Sequence, residues 1–113
     1  MHTYEEELKA KKLYYIYLIY HRDEKKFPYK RYVGRTNTAT RLGCQHFNPN
    51  YWKNYPNKAL YQAFQKDGIE NYTYRILETC ISVKESKEQE EYWINKLQTL
   101  VENGGLNMRH EIT

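Results

Sequence analysis

Eight consecutive residues, Leu13 to Tyr20 (LYYIYLIY), carry no charge and no polar group other than tyrosine hydroxyls. Successive side chains of a strand point to opposite faces of its sheet. A run that is apolar at odd and even positions alike therefore belongs in the middle of a sheet covered on both sides. This one segment calls for a neighbouring strand along each edge and a packed layer over each face. It is far shorter than the ~18 apolar residues of a membrane helix, and no other stretch of the chain approaches that length.

The neighbours are recognisable. His21 to Pro28 is a charged loop, and Tyr29 to Val33 returns as a second strand ended by Gly34. So short a connection makes the pair an antiparallel hairpin. Tyr72, Tyr74 and Ile76 alternate with Thr73, Arg75 and Leu77, the period of a third strand. Four helical segments supply the cover. Thr3 to Lys12 forms a short charged helix. Asn37 or Thr38 caps a helix running towards His46, which Asn48-Pro49-Asn50 breaks. Asn57 caps a helix through Lys66, with Leu60, Ala63 and Phe64 on one face and Gly68 as its stop. A long helix runs from about Val83 to Leu100, and Asn103-Gly104-Gly105 turns the chain into a short tail. The expectation is an α+β domain, a three-stranded antiparallel sheet flanked by α-helices. At 113 residues it is one domain, with residues 1–12 a helical extension and 13–109 the core.

The last helix holds the most informative residue. At ~100° per residue, Val83, Ile94, Leu97 and Val101 fall on one stripe, with Trp93 beside it, and Glu90 lies in the middle of that stripe. Glu88 and Glu91 fall outside it. A carboxylate on a core-facing stripe is unfavourable unless paired, protonated or bound to a cation. Two readings stay open: an ion pair with a lysine or arginine, or a ligand for a hard cation such as Mg²⁺, which takes oxygen donors and often only one or two carboxylates.

Composition narrows the partner. A net charge of +4, a pI near 9.0 and 13 tyrosines combine cations with rings. Cations attract a phosphate backbone and rings can stack on bases. Arg31 and Arg35 flank the end of the second strand, Arg41 sits in the next helix and His46 follows. Beside a carboxylate such an arginine can clamp a phosphate. Leu42 and His46 are four apart, so packing also accounts for the histidine. Cys44 and Cys80 are isolated, with no zinc-ligand spacing. Met1 to Lys12 is charged and lacks an apolar signal core, so a cytoplasmic address is expected.

The order of these features along the chain resembles that of the GIY-YIG nucleases. Tyr15-Ile16-Tyr17 and then Tyr32-Val33-Gly34 match the two tripeptides that name the family. An arginine-bearing segment follows, then Lys58 to Gly68, Tyr74 to Glu78, Gln89 to Ile94 (QEEYWI) and Leu106-Asn107, so the resemblance runs roughly from Tyr14 to Arg109. It implies the tyrosines of the two tripeptides at Tyr17 and Tyr32, the catalytic arginine at Arg41, the metal-binding glutamate at Glu90, a supporting asparagine at Asn107 and a histidine at His46. Tyr15 stands where the family has its first glycine. Arg35 stands where a small polar residue is common, and the interval from Arg41 to His46 is one longer than usual.

The resemblance further implies a metal-dependent endonuclease that hydrolyses phosphodiester bonds in DNA. One Mg²⁺ or Mn²⁺ on Glu90 serves each active site, Tyr17 or Tyr32 helps activate the attacking water, and Arg31, Arg35, Arg41 and Lys58 contact DNA phosphates. The alternative is a nucleic-acid-binding module on the same fold without catalysis. No small-molecule cofactor and no membrane partner are expected. A monomer is expected rather than a homodimer, because one site cuts one strand.

Overall fold

A computed structural model describes residues 13–38 and 46–108. The expected helices at Thr3–Lys12 and at Asn37 to His46, together with Arg41 and Cys44, lie wholly or mostly outside the described residues.

The doubly apolar segment is the central strand. β1 (Tyr14–His21) pairs antiparallel with β2 (Arg31–Thr36) on one edge and with β3 (Tyr72–Cys80) on the other, in the order β2-β1-β3. Ile16, Leu18 and Ile19 are at most 1% exposed, as a strand covered on both faces requires. Helices flank this sheet, and the fold is the expected α+β.

β2 differs from the sequence expectation. It starts two residues later and continues through Gly34 to Thr36. Gly34 does not end the strand; it pairs with Tyr17 inside the ladder. The hairpin register places Ile19 opposite both Tyr32 and Tyr74, so these three residues form one row across the sheet. β3 runs three residues past Leu77, with a register shift beside Ile16 and Tyr17.

Asn48-Pro49 also starts a helix. In α1 (Pro49–Trp52) the Asn48 side chain accepts a hydrogen bond from the Asn50 N–H, and proline occupies the first turn, where its missing N–H is harmless. α2 (Ala59–Asp67) is preceded by Lys58, not Asn57, and lacks a side-chain cap. Gly68 stops it as expected, at φ 89°, where a side chain would be strained. α3 (Val83–Leu97) is capped by Ser82, which accepts from the Glu85 N–H. It stops three residues before Leu100, with Gln98 in the left-handed region. No helix among the described residues is long and apolar enough to cross a membrane.

Two apolar layers sandwich the sheet. On one face Tyr17, Ile19, Tyr32 and Tyr72 pack with Trp52, Leu60, Tyr61, Phe64 and Leu106. On the other, Ile16, Leu18 and Val33 pack with Cys80, Ile94 and Leu100. Each such side chain contributes roughly 1.5–3 kcal/mol on leaving water. The buried stripe of α3 is Ser86, Glu90 and Ile94, with Leu97 and Trp93 packed against the core beside it, so the expected stripe holds except at its ends. Val83, the first residue of the helix, and Val101, four residues past its end, are close to half exposed. Glu90 is nonetheless 7% exposed.

Candidate active site

The two tripeptide tyrosines meet on the α1/α2 face of the sheet. Tyr17 lies opposite Gly34, and Tyr32 is two residues back along β2, so both side chains project to the same side. Their ring centroids are 6.3 Å apart. Gly34 makes this possible. A Cβ there would fall within 3.0 Å of Cζ, Oη and Cε2 of Tyr17. The Tyr17 ring occupies the volume of the missing side chain.

His46 closes the cluster. Its Nε2 is 2.6 Å from Tyr17 Oη, and its Nδ1 is 2.9 Å from Tyr61 Oη. Trp52 holds the backbone in place, donating from Nε1 to the His46 carbonyl at 2.6 Å and stacking on Tyr61. Burial, and then the charge of Lys58, lowers the imidazole from 6.5 to about 4. A neutral imidazole donates from one nitrogen and accepts at the other. The chain Tyr17–His46–Tyr61 is therefore a directed one, able to run either way. The packing account of His46 gives way to a polar one.

Lys58 reaches Tyr32 from the start of α2. Its ammonium donates to Tyr32 Oη at 3.2 Å and lies 5.0 Å over that ring and 5.2 Å over the ring of Tyr61. Tyr17, Tyr32, His46 and Lys58, four of the residues singled out in the sequence, thus converge. Tyr61 joins them and was not singled out. It is three residues before Phe64 and so shares the apolar face of α2, a signal that was available but pointed equally to packing.

Glu90 belongs to the opposite layer. It lies on α3 one turn beyond Ser86, whose hydroxyl accepts from the Arg35 guanidinium at 3.3 Å, and one turn before Ile94, in the cluster of Ile16, Leu18 and Val33. Arg31, Val33 and Arg35 alternate with Tyr32 and Gly34, so both arginines sit on the α3 side of β2, away from the phenols. β2 is thus the element common to the two halves. Its outer edge is held by Asn107, which is 2% exposed. The Asn107 carboxamide accepts from the Val33 N–H at 2.7 Å and from the Thr99 hydroxyl at 2.7 Å, and donates to the Val33 carbonyl at 2.9 Å. It takes the place of a fourth strand at that residue.

A single buried carboxylate is a suitable protein donor for Mg²⁺, which prefers hard oxygen and retains several waters of its own. Glu90 fits that description. A second acidic group, Glu78 with Glu85 and Cys80, has its ligand atoms within 4.8 Å of one another. Glu78 is already engaged by Gln89 at 2.7 and 3.0 Å and by Trp93 at 3.1 Å. Burial and then the two carboxylates push the Cys80 thiol up to about 11, so it stays protonated and ligates poorly. This group ties β3 to α3.

A family model described as the GIY-YIG catalytic domain matches residues 13–104, which is most of the chain. No curated protein matches, and no solved structure matches.

Proposed function

Because the chain belongs to the GIY-YIG family, we propose that it is an endonuclease that hydrolyses phosphodiester bonds in DNA with the help of one divalent metal ion. The observation that carries this reading is the convergence of Tyr17, Tyr32, His46 and Lys58 around one point at the β2 edge. Phenol oxygens, a neutral imidazole and an ammonium at that point suit proton transfer beside an anion.

In this reading Tyr32 Oη takes the proton of the attacking water, and the Lys58 ammonium stabilises the negative charge that this oxygen carries beforehand. Tyr17 orients the water through its hydroxyl, which His46 fixes in turn. Glu90, in the α3 layer across β2 from the phenols and on the side of Arg31 and Arg35, would hold the metal, Mg²⁺ or Mn²⁺, which when bound would supply Lewis-acid stabilisation to a phosphate reaching that side of β2. Arg41, matched to the catalytic arginine by resemblance, would neutralise the scissile phosphate. Arg31 and Arg35, on the α3 side, would contact flanking phosphates. Asn107 is a positioning residue that keeps β2 in register.

Purified protein incubated with supercoiled plasmid and with single-stranded DNA, each with Mg²⁺ and with chelator, tests the reading. Metal-dependent cleavage that disappears in Glu90→Gln, while DNA binding survives, is expected. DNA binding without cleavage under any metal would favour the inactive binding module instead.

A further inference from the structure

A groove of about 330 Å³ opens at the β3 edge of the sheet, on the same face as Tyr17 and Tyr32. Ligand sites for small organic groups begin near ~300 Å³. Tyr74 and Phe47 line it, with ring centroids 5.8 Å apart, and Ile69 is a third apolar wall. Tyr74 is 41% exposed, an aromatic ring offered to solvent beside a cavity. Phe47 is the residue after His46, so the wall of the groove and the phenol cluster are joined by one peptide bond.

The spacing relates the groove to the proposed chemistry. Tyr32, Ile19 and Tyr74 form one row across the sheet, so Tyr74 lies two strand spacings, about 10 Å, from Tyr32. A phosphate at Tyr32 leaves Tyr74 roughly one or two nucleotides along an unstacked chain. The polar lining selects what enters. Glu70 lines the groove, with its carboxylate beside Gly68, and brings a negative charge that disfavours a phosphate there and can accept a hydrogen bond from a base amino group. Arg22 donates from Nε to the Glu70 carbonyl at 3.0 Å and is exposed at the rim, where a cation can meet the sugar–phosphate chain outside.

We propose that this groove binds one unstacked nucleobase of the substrate strand, within two nucleotides of the scissile phosphate, by stacking on Tyr74. The proposal rests on the nuclease reading for its position. It makes the enzyme favour single-stranded or locally opened DNA, since a base inside a duplex stack cannot reach the ring.

The test uses the full chain and single-stranded oligonucleotides carrying 2-aminopurine at one position at a time, bound in the presence of chelator so that nothing is cut. Quenching at one position is expected. Tyr74→Ala and Tyr74→Leu should each abolish that quench and raise Kd about 5- to 150-fold, the effect of losing one base–aromatic stack. Leucine keeps the apolar bulk against Phe47, so a folding defect is distinguished from a lost π-face, while Tyr74→Phe should keep the quench. Unchanged Kd and unchanged quenching in Tyr74→Ala and Tyr74→Leu would overturn the groove. Parallel Mg²⁺ cleavage assays separate the two claims: cutting without a Tyr74-dependent quench defeats the groove alone, and a Tyr74-dependent quench without cutting defeats the nuclease reading alone. Absence of any DNA binding defeats both.

Discussion

Gly34→Ala places one methyl group where the Tyr17 ring lies. The added Cβ would sit within 3.0 Å of three Tyr17 atoms, against ~3.5–4.0 Å for an ordinary carbon contact. β2 is held on one side by β1 and on the other by Asn107, so the ring must give way. A retreat of about 1 Å stretches the 2.6 Å bond between Tyr17 Oη and His46 Nε2 beyond a useful hydrogen bond. Overpacking of a filled core costs about 1–3 kcal/mol, and a buried polar group left unsatisfied about 1–3 kcal/mol more. The expected loss is therefore about 2–6 kcal/mol, a large share of the ~5–15 kcal/mol typical of a domain. Urea denaturation with linear extrapolation measures it. The origin is tested by repeating the change on Tyr17→Leu, where the clashing ring is absent. There Gly34→Ala should cost less than about 1 kcal/mol, giving a coupling well outside additivity. Cleavage should fall in Gly34→Ala at least as far as in Tyr17→Phe. Equal cost in the two backgrounds, or a stable and active Gly34→Ala, would refute the claim that this glycine exists to house the Tyr17 ring.

Tyr17→Phe and Tyr32→Phe delete only the hydroxyl and should each lower the cleavage rate at saturating Mg²⁺ by about 10²–10⁴ with folding intact, whereas Tyr15→Phe should cleave at the wild-type rate; full activity in both site variants would make the phenols mere packing. Asn107→Ala removes the partners of the Val33 N–H and carbonyl and of the Thr99 hydroxyl, and should destabilise by about 3–5 kcal/mol in chemical denaturation. His46 is held neutral, its pKa depressed from 6.5 to about 4. Between those values the unfolded chain binds a proton that the folded one does not. Stability should therefore be complete above pH ~6.5 and fall on acidification towards pH 4, by on the order of 3 kcal/mol. His46→Gln should flatten that part of the stability–pH curve, and an unchanged slope would assign it to other groups.

What the sequence disclosed follows from which forces are local. The both-faced apolar run identified β1 as the central strand, and alternation located β3, because strand periodicity is written residue by residue. The limits of β2 were misjudged because glycine is usually punctuation, whereas Gly34 answers a demand for space made by Tyr17, seventeen positions earlier in the sequence and adjacent only through the hairpin register. Asn48-Pro49 was read only as a break, and the cap bond of Asn48 shows that it also starts the next helix. Glu90 was found as a buried carboxylate on a stripe partly assigned to the wrong residues, since the helix begins at Val83 and stops at Leu97, and Val83 and Val101 are left near half exposed. Lys58 emerged through resemblance and His46 first as a neighbour of Arg41 that packing could also explain, but their tie to Tyr32, Tyr17 and Tyr61 is a tertiary matter that no spacing encodes.

The arrangement also explains why the site forms on an edge strand. A central strand such as β1 has both sides of its backbone committed to neighbours and both faces committed to core. β2 has one free side, and exposed strand edges invite unwanted pairing. Asn107 resolves this at Val33, matching the backbone's donor and acceptor with one carboxamide and adding no strand beyond it. The neighbouring residues face the two layers, Tyr32 turned towards Lys58 and the His46 layer, Gly34 leaving room there for the Tyr17 ring, and Arg35 turned towards Ser86 of α3. Five residues of one strand can in this way address both layers of the sandwich. If so, displacing β2 should disturb the two halves together. Asn107→Ala, assayed well below its melting temperature, should weaken Mg²⁺ binding as well as the cleavage rate at saturating metal. A loss confined to one of the two would show that the layers are positioned independently.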